Sequence, residues 1–414
     1  MMRRVYLDNN ATTPVLPEVL EAMRPYFSEH FGNASSIHHH GQGTRAAVER
    51  ARESVAALLG CRAAEVVFTS GGTEGDNLAV FGVMNHGVMN HGLARPGDHV
   101  ITSNIEHHAI LNACKHLVAQ GHEVTYIPVD GRGLVDLADV KRAIRPNTKL
   151  ITIMFSNNET GVLQSVAEIG KIAAEADVYF HTDAVQAAGK IRINVNQIGC
   201  DLLTISGHKF HGPQGVGALY VRKGTQLEPM LYGGSHERSR RAGTENVPGI
   251  VGLGKAAELA VAGLERGDLR MDDRKMAAAR DHLERELLEI EATGLNGEGA
   301  PRVPNTTNIY FDGIEGEALV IALDLKGLAV STGAACSSGA IEPSHVLLAM
   351  GLRPDRAKAS IRFSLGKQNT AEDVDFALGL IPETVARLRE LSPVYNKAAS
   401  SELRAASNQR SARP

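Results

Sequence analysis

The sequence predicts an α/β fold, in which a mainly parallel seven-stranded sheet lies between layers of helices, with a smaller α+β domain beside it. Three observations predict this. Runs rich in β-branched residues alternate with amphipathic helical stretches between about residues 64 and 222. Polar or glycine-rich clusters follow five of these runs. The chain of 414 residues is also longer than one hydrophobic core usually serves, so two domains are expected.

The order of elements sets the topology of the predicted sheet. Val166, Ile169 and Ala173 recur at helical spacing between two strand candidates, as a crossover helix requires. Strands that alternate with such helices form a parallel sheet with right-handed crossovers. Ligands of such sheets bind beyond the carboxyl ends of the strands. The predicted strands are Glu65–Thr69, His99–Ser103, His122–Pro128, Lys149–Phe155, Val178–Thr182, Asp201–Ser206 and Gly217–Val221.

The composition changes after about residue 250. Residues 251–290 are rich in Ala, Leu, Glu and Arg and predict one long helix. Thr370 and Asp373 predict a capping box at the start of the last helix. Strands of a smaller domain are predicted at Asn308–Phe311, Leu328–Ser331 and Ser360–Ser364.

These patterns divide the chain into two expected domains. A large domain is expected over residues 15–260, and a smaller one is formed by residues 1–14 and 261–395. The polar tail, residues 396–414, is predicted to be disordered. A five-residue stretch that begins at Gly82 is duplicated in tandem, and we assign no function to it.

Charge and cysteine content narrow the class of protein. The formal net charge is -4, so no basic excess indicates nucleic-acid binding. Residues Met1–Leu7 lack the apolar segment of a signal peptide, and no uninterrupted apolar stretch predicts a membrane span. The four cysteines show no CxxC spacing, which disfavours a zinc site or a disulfide framework. The sequence therefore predicts a cytoplasmic protein with reduced thiols.

The first two strand ends could hold an anion and a flat ring. Gly72 and Thr73 lie in a Ser-Gly-Gly-Thr-Glu stretch that leads into a helix, where glycine N–H groups and the helix dipole favour a phosphate. A simple capped turn would show the same pattern. His107 could stack on a ring or move protons near neutral pH, although a buried structural histidine is the more ordinary alternative.

The next strand ends carry the groups that pyridoxal phosphate requires. Asn158 could meet a ring oxygen, and Asp183 could pair with a protonated pyridine nitrogen. Gln186 follows Asp183 by three residues. Lys209 follows another strand, and its amine could bond to an aldehyde cofactor. Each residue alone has a structural explanation, but their coincidence at adjacent strand ends favours this cofactor.

Two further residues could act on a substrate. Cys336 lies between small residues and two glycines, which is typical of an exposed, reactive thiol. The other three cysteines suit the buried, inert class better. Arg362, on a predicted strand, could bind a carboxylate through two hydrogen bonds, although a surface arginine is the common alternative. The run His38–His40 is discounted as a metal site because no partner cluster is evident.

These motifs resemble the cysteine desulfurases of the NifS/IscS type, which are class V aminotransferases of fold type I. The resemblance runs from Val5 to about Pro393. The Lys-Phe-His-Gly-Pro phrase that begins at Lys209 and the ending Leu388–Ser392 look closer to the nitrogen-fixation branch. The densest blocks are Glu106–Ala109, Asn157–Gly161, Ser206–Pro213, Arg241–Asn246 and Ala335–Gly339.

The resemblance implies a role for each of these residues. Lys209 would hold pyridoxal 5'-phosphate, His107 would stack on its ring, and Asp183 would pair with its pyridinium nitrogen. Arg362 and Asn158 would bind the substrate. The other residues implied to contact the cofactor are Gly72, Thr73, Asn158, Gln186, Ser206, Gly207, His208 and Thr244. Thr244 would reach the phosphate of the neighbouring subunit, which implies a homodimer.

The implied activity converts L-cysteine to L-alanine and holds the sulfur as a persulfide on Cys336, within a long loop at residues 331–345. His107 is the candidate that takes the proton of Cys336. An iron–sulfur scaffold protein would accept the sulfur, and Cys336 could share a transient cluster with it; no resident metal is otherwise expected. The alternatives are a selenocysteine lyase, a lyase or aminotransferase that does not use Cys336, and a sulfur-delivery protein without catalysis.

Overall fold

A seven-stranded sheet forms the centre of the protein, in a computed structural model that describes residues 3–84, 97–266, 273–333, 342–393 and 395. The strands are β1 (Val5–Tyr6), β2 (Val66–Thr69), β3 (His99–Ser103), β4 (Glu123–Ile127), β5 (Thr148–Thr152), β6 (Tyr179–Asp183), β7 (Leu202–Ser206), β8 (Gly217–Val221), β9 (Thr293–Leu295), β10 (Thr306–Phe311), β11 (Leu328–Ala329) and β12 (Ser360–Ser364).

Helices cover this sheet and connect its strands. They are α1 (Pro17–Met23), α2 (Pro25–Ser28), α3 (His39–Leu59), α4 (Gly72–Met84), α5 (His108–Ala119), α6 (Leu137–Ala143), α7 (Val166–Glu175), α8 (Val195–Ile198), α9 (Val247–Arg266), α10 (Asp273–Leu288), α11 (Gly316–Leu325), α12 (His345–Ala349), α13 (Pro354–Lys358) and α14 (Ala371–Leu391).

The order of strands in the large sheet is β2-β8-β7-β6-β5-β3-β4. Only β8 runs antiparallel to its neighbours, and the other strands are parallel to one another. The prediction of a mainly parallel seven-stranded sheet is therefore confirmed. The carboxyl ends of β2, β3, β5, β6 and β7 consequently lie along one edge of the sheet.

Alternating side chains in the strands bury both faces of the sheet. Val100 and Leu150 pack on one face with residues of α4 and α5. Their neighbours Ile101 and Ile151 point to the opposite face, which is covered by a larger cluster that includes residues of α3, α7 and α9. This burial on both sides explains why the strands are almost continuously apolar.

A second apolar cluster lies around the three-stranded sheet β12-β10-β9. Leu7, Leu283, Phe311, Phe363 and Ile381 are buried in it, so the N-terminal segment packs with α10 and α14. The predicted capping box forms at the start of α14, where the Thr370 and Asp373 side chains cap each other's backbone N–H groups.

Strands β5, β9 and β11 differ from the prediction. Strand β5 ends at Thr152, before the predicted Phe155, because the Met154 N–H turns to donate to Glu106 Oε1 at 3.0 Å. The predicted long helix is represented by α9 and α10, and residues 267–272 between them lie outside the described residues. The predicted strand at Leu328–Ser331 is shorter and pairs with β1, and β9 was not predicted.

Helix α9 has a property that the sequence analysis did not single out. Its stretch Val247–Glu265 is long and apolar enough, by length and composition alone, to cross a membrane. Half of that stretch is buried inside the protein, where α9 packs along α3. Gly254 permits this approach, because a Cβ there would lie 2.5 Å from Ala51 Cα. The core helix of a globular protein has the same properties.

Three features predicted from the sequence lie outside the described residues. They are Cys336 with its neighbours 334–341, the part of the duplicated stretch that follows Met84, and the tail 396–414.

Candidate active site

Lys209 lies at the end of a 3₁₀ turn, Gly207–Lys209, that follows β7. Its Nζ donates to the main-chain oxygens of Asn10 and Ala11, each at 2.8 Å. Gly207 is buried, and a Cβ on it would come within 3.0 Å of Pro213 O. The tight turn therefore needs glycine at this position, and it presents the lysine amine to the N-terminal segment of the chain.

Asp183 is the last residue of β6 and is buried. Its Oδ1 accepts a hydrogen bond from Val185 N at 2.8 Å. Burial raises the pKa of Asp183 to about 6, while Val185 N–H and the charge of Lys209 act in the opposite direction. Asp76, also buried, has an Oδ1 with no hydrogen-bond partner in the described part of the chain. The charge of Lys209 thus offsets the burial of these carboxyl groups only in part, and a protonated ring nitrogen would add a second positive charge.

His107 is the N-cap of α5, and its Nδ1 accepts the Ala109 N–H at 3.1 Å. Burial, with a smaller effect of Lys209, lowers the pKa of His107 to about 4. The imidazole is therefore neutral at pH 7 and carries its proton on Nε2. A neutral ring suits stacking, whereas taking a proton at Nδ1 requires the hydrogen bond from Ala109 to break.

A cavity of about 760 Å³ opens beside this histidine. His107, Thr73, Met230 and Tyr232 are among the residues that line it, whereas Lys209, Asp183 and Arg362 are not. The volume is within the range that holds a small ligand.

The start of α4 lies against the turn after β7. Ser206 approaches the backbone there, since a Cβ on Gly72 would be 3.6 Å from Ser206 Cβ and 2.9 Å from Val185 Cγ2. His208, on the same turn, has its Nδ1 3.2 Å from Thr12 Oγ1. Gly72, Thr73, Ser206 and His208 thus surround a helix N-terminus that could hold a phosphate. An alanine at position 72 would require Val185 to move.

Gln186 belongs to a network that includes a second lysine. Lys190 is buried, and its Nζ donates to Gln186 Oε1 at 2.6 Å and to Asn10 Oδ1 at 2.8 Å. Because a lysine only donates, the Gln186 amide must point its NH₂ away, and it donates to Asn10 O at 2.9 Å. Burial, followed by the charges of Lys209 and Arg362, lowers the pKa of Lys190.

Arg362 comes from β12 and reaches the same site. Its Nη2 donates to Asp8 Oδ1 at 2.7 Å, and its Nη1 donates to Asn158 O at 2.9 Å. Its Nε is buried and has no hydrogen-bond partner among the residues described. The guanidinium is therefore fixed in orientation while one donor stays available for a carboxylate.

Thr244 lies exposed. It follows Arg241, whose Nε donates to Glu74 Oε1 at 2.8 Å and so ties this segment to α4. Cys336 lies outside the described residues.

Three residues of the site carry no role in the sequence analysis: Asp8, Asn10 and Lys190. Asn10 holds Lys209, Lys190 and Gln186 at once, and it donates to Thr306 Oγ1 at 2.9 Å. A signal for two of them was present, because Asp8 and Asn10 lie in the N-terminal block where the family resemblance begins. Lys190 had none, since an isolated lysine is usually exposed.

The residues present fit pyridoxal phosphate. Lys209 offers the amine, Asp183 a buried carboxyl that needs a cation, and His107 a neutral ring beside the cavity. The start of α4 offers N–H groups for a phosphate. Arg362 offers its Nε to a substrate carboxylate.

Comparison with known proteins gives matches over nearly the whole chain. The family model for aminotransferase class-V matches residues 5–376. The cysteine desulfurase IscS of Methanosarcina thermophila is 51% identical over 395 residues, which cover 95% of each protein. A solved structure of a NifS-like protein is 37% identical, has a TM-score of 0.84 and covers 93% of this chain and 100% of its own.

A third match was solved with a bound amino acid. The structure of SspA in complex with cysteine is 36% identical, has a TM-score of 0.77, and covers 88% of this chain and 99% of its own. These matches agree with the fold. The chain therefore belongs to the aminotransferase class-V family and, within it, to the cysteine desulfurases.

Proposed function

We propose that this protein is a pyridoxal 5'-phosphate-dependent cysteine desulfurase that converts L-cysteine to L-alanine and keeps the sulfur as a persulfide on Cys336. The observation that carries the proposal is the convergence of Lys209, Asp183 and Arg362 on one sheet edge. The cysteine desulfurase relatives and the solved complex with cysteine support the same substrate.

Arg362 would select and orient the substrate. Asp8 and Asn158 hold its two Nη groups, so its Nε is left to bind the carboxylate of an amino acid. When bound at Lys209, the cofactor supplies an electron-withdrawing ring that acidifies the proton on the substrate α-carbon. The amine of Lys209 would then move that proton.

Sulfur transfer would require Cys336 as a thiolate. Its Sγ attacks the substrate sulfur, so an S–S bond forms while the substrate C–S bond breaks. The electrons of that bond stay with the three-carbon fragment, which takes up a proton and leaves as alanine. We retain His107 as the proton acceptor for Cys336, with the condition that its cap to Ala109 N opens first.

We also propose a homodimer. Large apolar side chains are exposed on one chain: Phe27 at 66%, Phe31 at 69% and Tyr232 at 75%. Tyr232 lies on the wall of the cavity beside His107, so a second subunit that covers this face would also close the site. In that arrangement Thr244 would contact the partner's cofactor phosphate.

The domain boundaries and the sulfur acceptor are parts of the same proposal. The separate apolar clusters around the large and small sheets support domains of residues 15–260 and of 1–14 with 261–395. An iron–sulfur scaffold as acceptor, and through it a transient cluster at Cys336, rest on the family resemblance given above. A nitrogen-fixation role and a cytoplasmic location rest on the sequence patterns given above.

The test is a paired assay of alanine and sulfide released from L-cysteine in the presence of a thiol reductant. Wild type should form both products in equal amounts, while Cys336→Ala and Lys209→Ala should form neither at a significant rate. Sulfide release by Cys336→Ala at the wild-type rate would contradict the persulfide. Activity on selenocysteine alone would instead identify a selenocysteine lyase.

A further inference from the structure

The segment that carries Cys336 leaves the described fold next to Arg362. Ser331 exchanges two main-chain hydrogen bonds with Arg362, with N···O distances of 2.7 and 3.3 Å. The Ser331 hydroxyl then accepts the Gly333 N–H at 3.0 Å. The start of the segment is therefore fixed to the strand that carries the proposed substrate-binding arginine.

The segment returns to the fold through Ser344, which is buried at the start of α12. The Ser344 hydroxyl donates to Glu159 Oε2 at 2.5 Å and also accepts the Leu347 N–H at 3.2 Å. His345 Nε2 donates to Glu106 O at 3.1 Å. This end is thus held against the residues that follow β3 and β5.

Apolar packing reinforces that second attachment. Val346, Leu347 and Met350 are buried against Ile105 and Met154, which flank the same strand ends. Helix α12 is therefore packed on the edge of the sheet that carries the site.

One carboxylate is hydrogen-bonded to Ser344 and lies beside Gly333. Glu159 Oε2, the acceptor of the Ser344 hydroxyl, would lie 3.3 Å from a Cβ placed on Gly333. Gly333 has φ +85°, so this position needs glycine both for its backbone and for the approach of Glu159. Glu159 is buried, and its main chain is held by Asn157 Oδ1 and Asn308 Nδ2.

Glu159 also borders the substrate site. It follows Asn158, whose carbonyl holds Arg362 Nη1. The charge of Arg362 acts on Glu159 and partly opposes the effect of burial, which raises the pKa of Glu159. The buried side chain of Glu159 therefore lies near Arg362 and near Gly333 and Ser344, the described residues before and after Cys336 in the sequence.

We propose that Glu159 is a positioning residue for sulfur transfer: through Ser344 and Gly333 it fixes the ends of the Cys336 segment relative to Arg362. This inference rests on the proposed desulfurase activity. Removal of the α-proton needs Lys209 and Arg362, and it does not need Cys336. Loss of the Glu159–Ser344 contact should therefore slow persulfide formation and spare proton removal.

The test compares these two steps in the cofactor-loaded enzyme. Exchange of the α-proton of L-alanine for deuterium, followed by NMR, reports on Lys209 and Arg362. Single-turnover formation of alanine from L-cysteine reports on Cys336. We expect Ser344→Ala and Glu159→Ala to slow single-turnover alanine formation about 10- to 100-fold, as a displacement of about 1 Å can do. Proton exchange should stay within about twofold of wild type on the same argument.

Two further variants separate positioning from general damage. Ser344→Thr keeps the hydroxyl and should retain both steps. In the double variant Glu159→Ala with Ser344→Ala, the loss should not exceed that of the more damaged single variant, because both changes remove one contact. The positioning role would be overturned if the rate losses of the two single variants multiplied in the double variant. It would also be overturned if the variants lost as much proton exchange as alanine formation. If wild type itself forms no alanine, the proposed function fails instead.

Discussion

Asp183 and Asp76 bring two carboxyl groups into a buried site with little compensating charge. Burial raises the pKa of both carboxyl groups, and the charge of Asp183 raises the pKa of Asp76 further. Without cofactor, the folded chain therefore binds a proton at this pair more tightly than the unfolded chain does. A protonated pyridine nitrogen bound beside Asp183 would lower the pKa of this carboxyl and remove the tighter proton binding of the folded chain.

This proton preference makes the stability of the cofactor-free protein depend on pH. The folded pKa of Asp183, about 6, lies above its ordinary value of 3.8, so stability falls as pH rises from about 4 to 6 and stays lower above that. Asp183→Asn removes this loss. The difference in free energy of unfolding between Asp183→Asn and wild type should therefore be about 1 kcal/mol more favourable to the variant at pH 7 than at pH 5. Urea unfolding at the two pH values measures this difference.

Asp76→Asn provides the control for that measurement. The pKa of Asp76 is itself raised, so its replacement removes a second carboxyl that binds a proton more tightly in the folded chain, and it should weaken the pH dependence without abolishing the part that Asp183 causes. If the difference in free energy of unfolding between Asp183→Asn and wild type is the same at pH 5 and pH 7, Asp183 is already ionised at pH 5.

At the scale of elements, the turn before Thr244 is held in a strained form. Glu237, Arg238 and Ser239 have φ values of 46°, 58° and 63°, a left-handed run that costs non-glycine residues energy. The Glu237 carboxylate is fixed by Arg52 Nη1 at 2.6 Å and Nη2 at 2.8 Å, and by Phe68 N at 2.9 Å. The buried ion pair therefore maintains the turn.

Replacement of Glu237 by glutamine should destabilise the fold by about 3 kcal/mol, because it leaves the Arg52 charge buried without its partner. Denaturant unfolding of the protein measures this loss. Glu49→Gln is the matched control, since Glu49 contacts the same arginine from a side chain that is 48% exposed. Its removal should cost about 0.5 kcal/mol or less. Equal losses in the two variants would contradict a special role for the buried pair.

The elements also show which features the sequence could predict. Lys209 and Asp183 were placed at one site because the rule for parallel sheets brings strand ends together without knowledge of side-chain packing. Asn10 and Lys190 were missed because the hydrogen bond between them joins residues that are 180 positions apart in the sequence. No local periodicity encodes such a contact.

At the scale of the whole molecule, the proposed homodimer would complete each site with a residue of the second chain. Lys209, Arg362 and Asn158 belong to one chain, where the structure brings them together. Thr244 is exposed, and its segment is anchored to α4 by Arg241 and Glu74. Mixing two inactive variants should therefore restore activity when one lacks a residue of the same chain and the other lacks a residue given to the partner. It should not restore activity when both lack residues of the same chain.

Thr244→Asp should abolish activity by placing a negative charge against the partner's cofactor phosphate. Co-refolding of equal amounts of Thr244→Asp and Lys209→Ala should then restore about a quarter of wild-type activity, because half of the randomly formed dimers carry one intact site out of two. The alanine assay measures this recovery. Lys209→Ala mixed with Arg362→Ala is the control, since both residues act within one chain and no intact site can form. Recovery in the control, or none with Thr244→Asp, would mean that the sites are not shared as proposed.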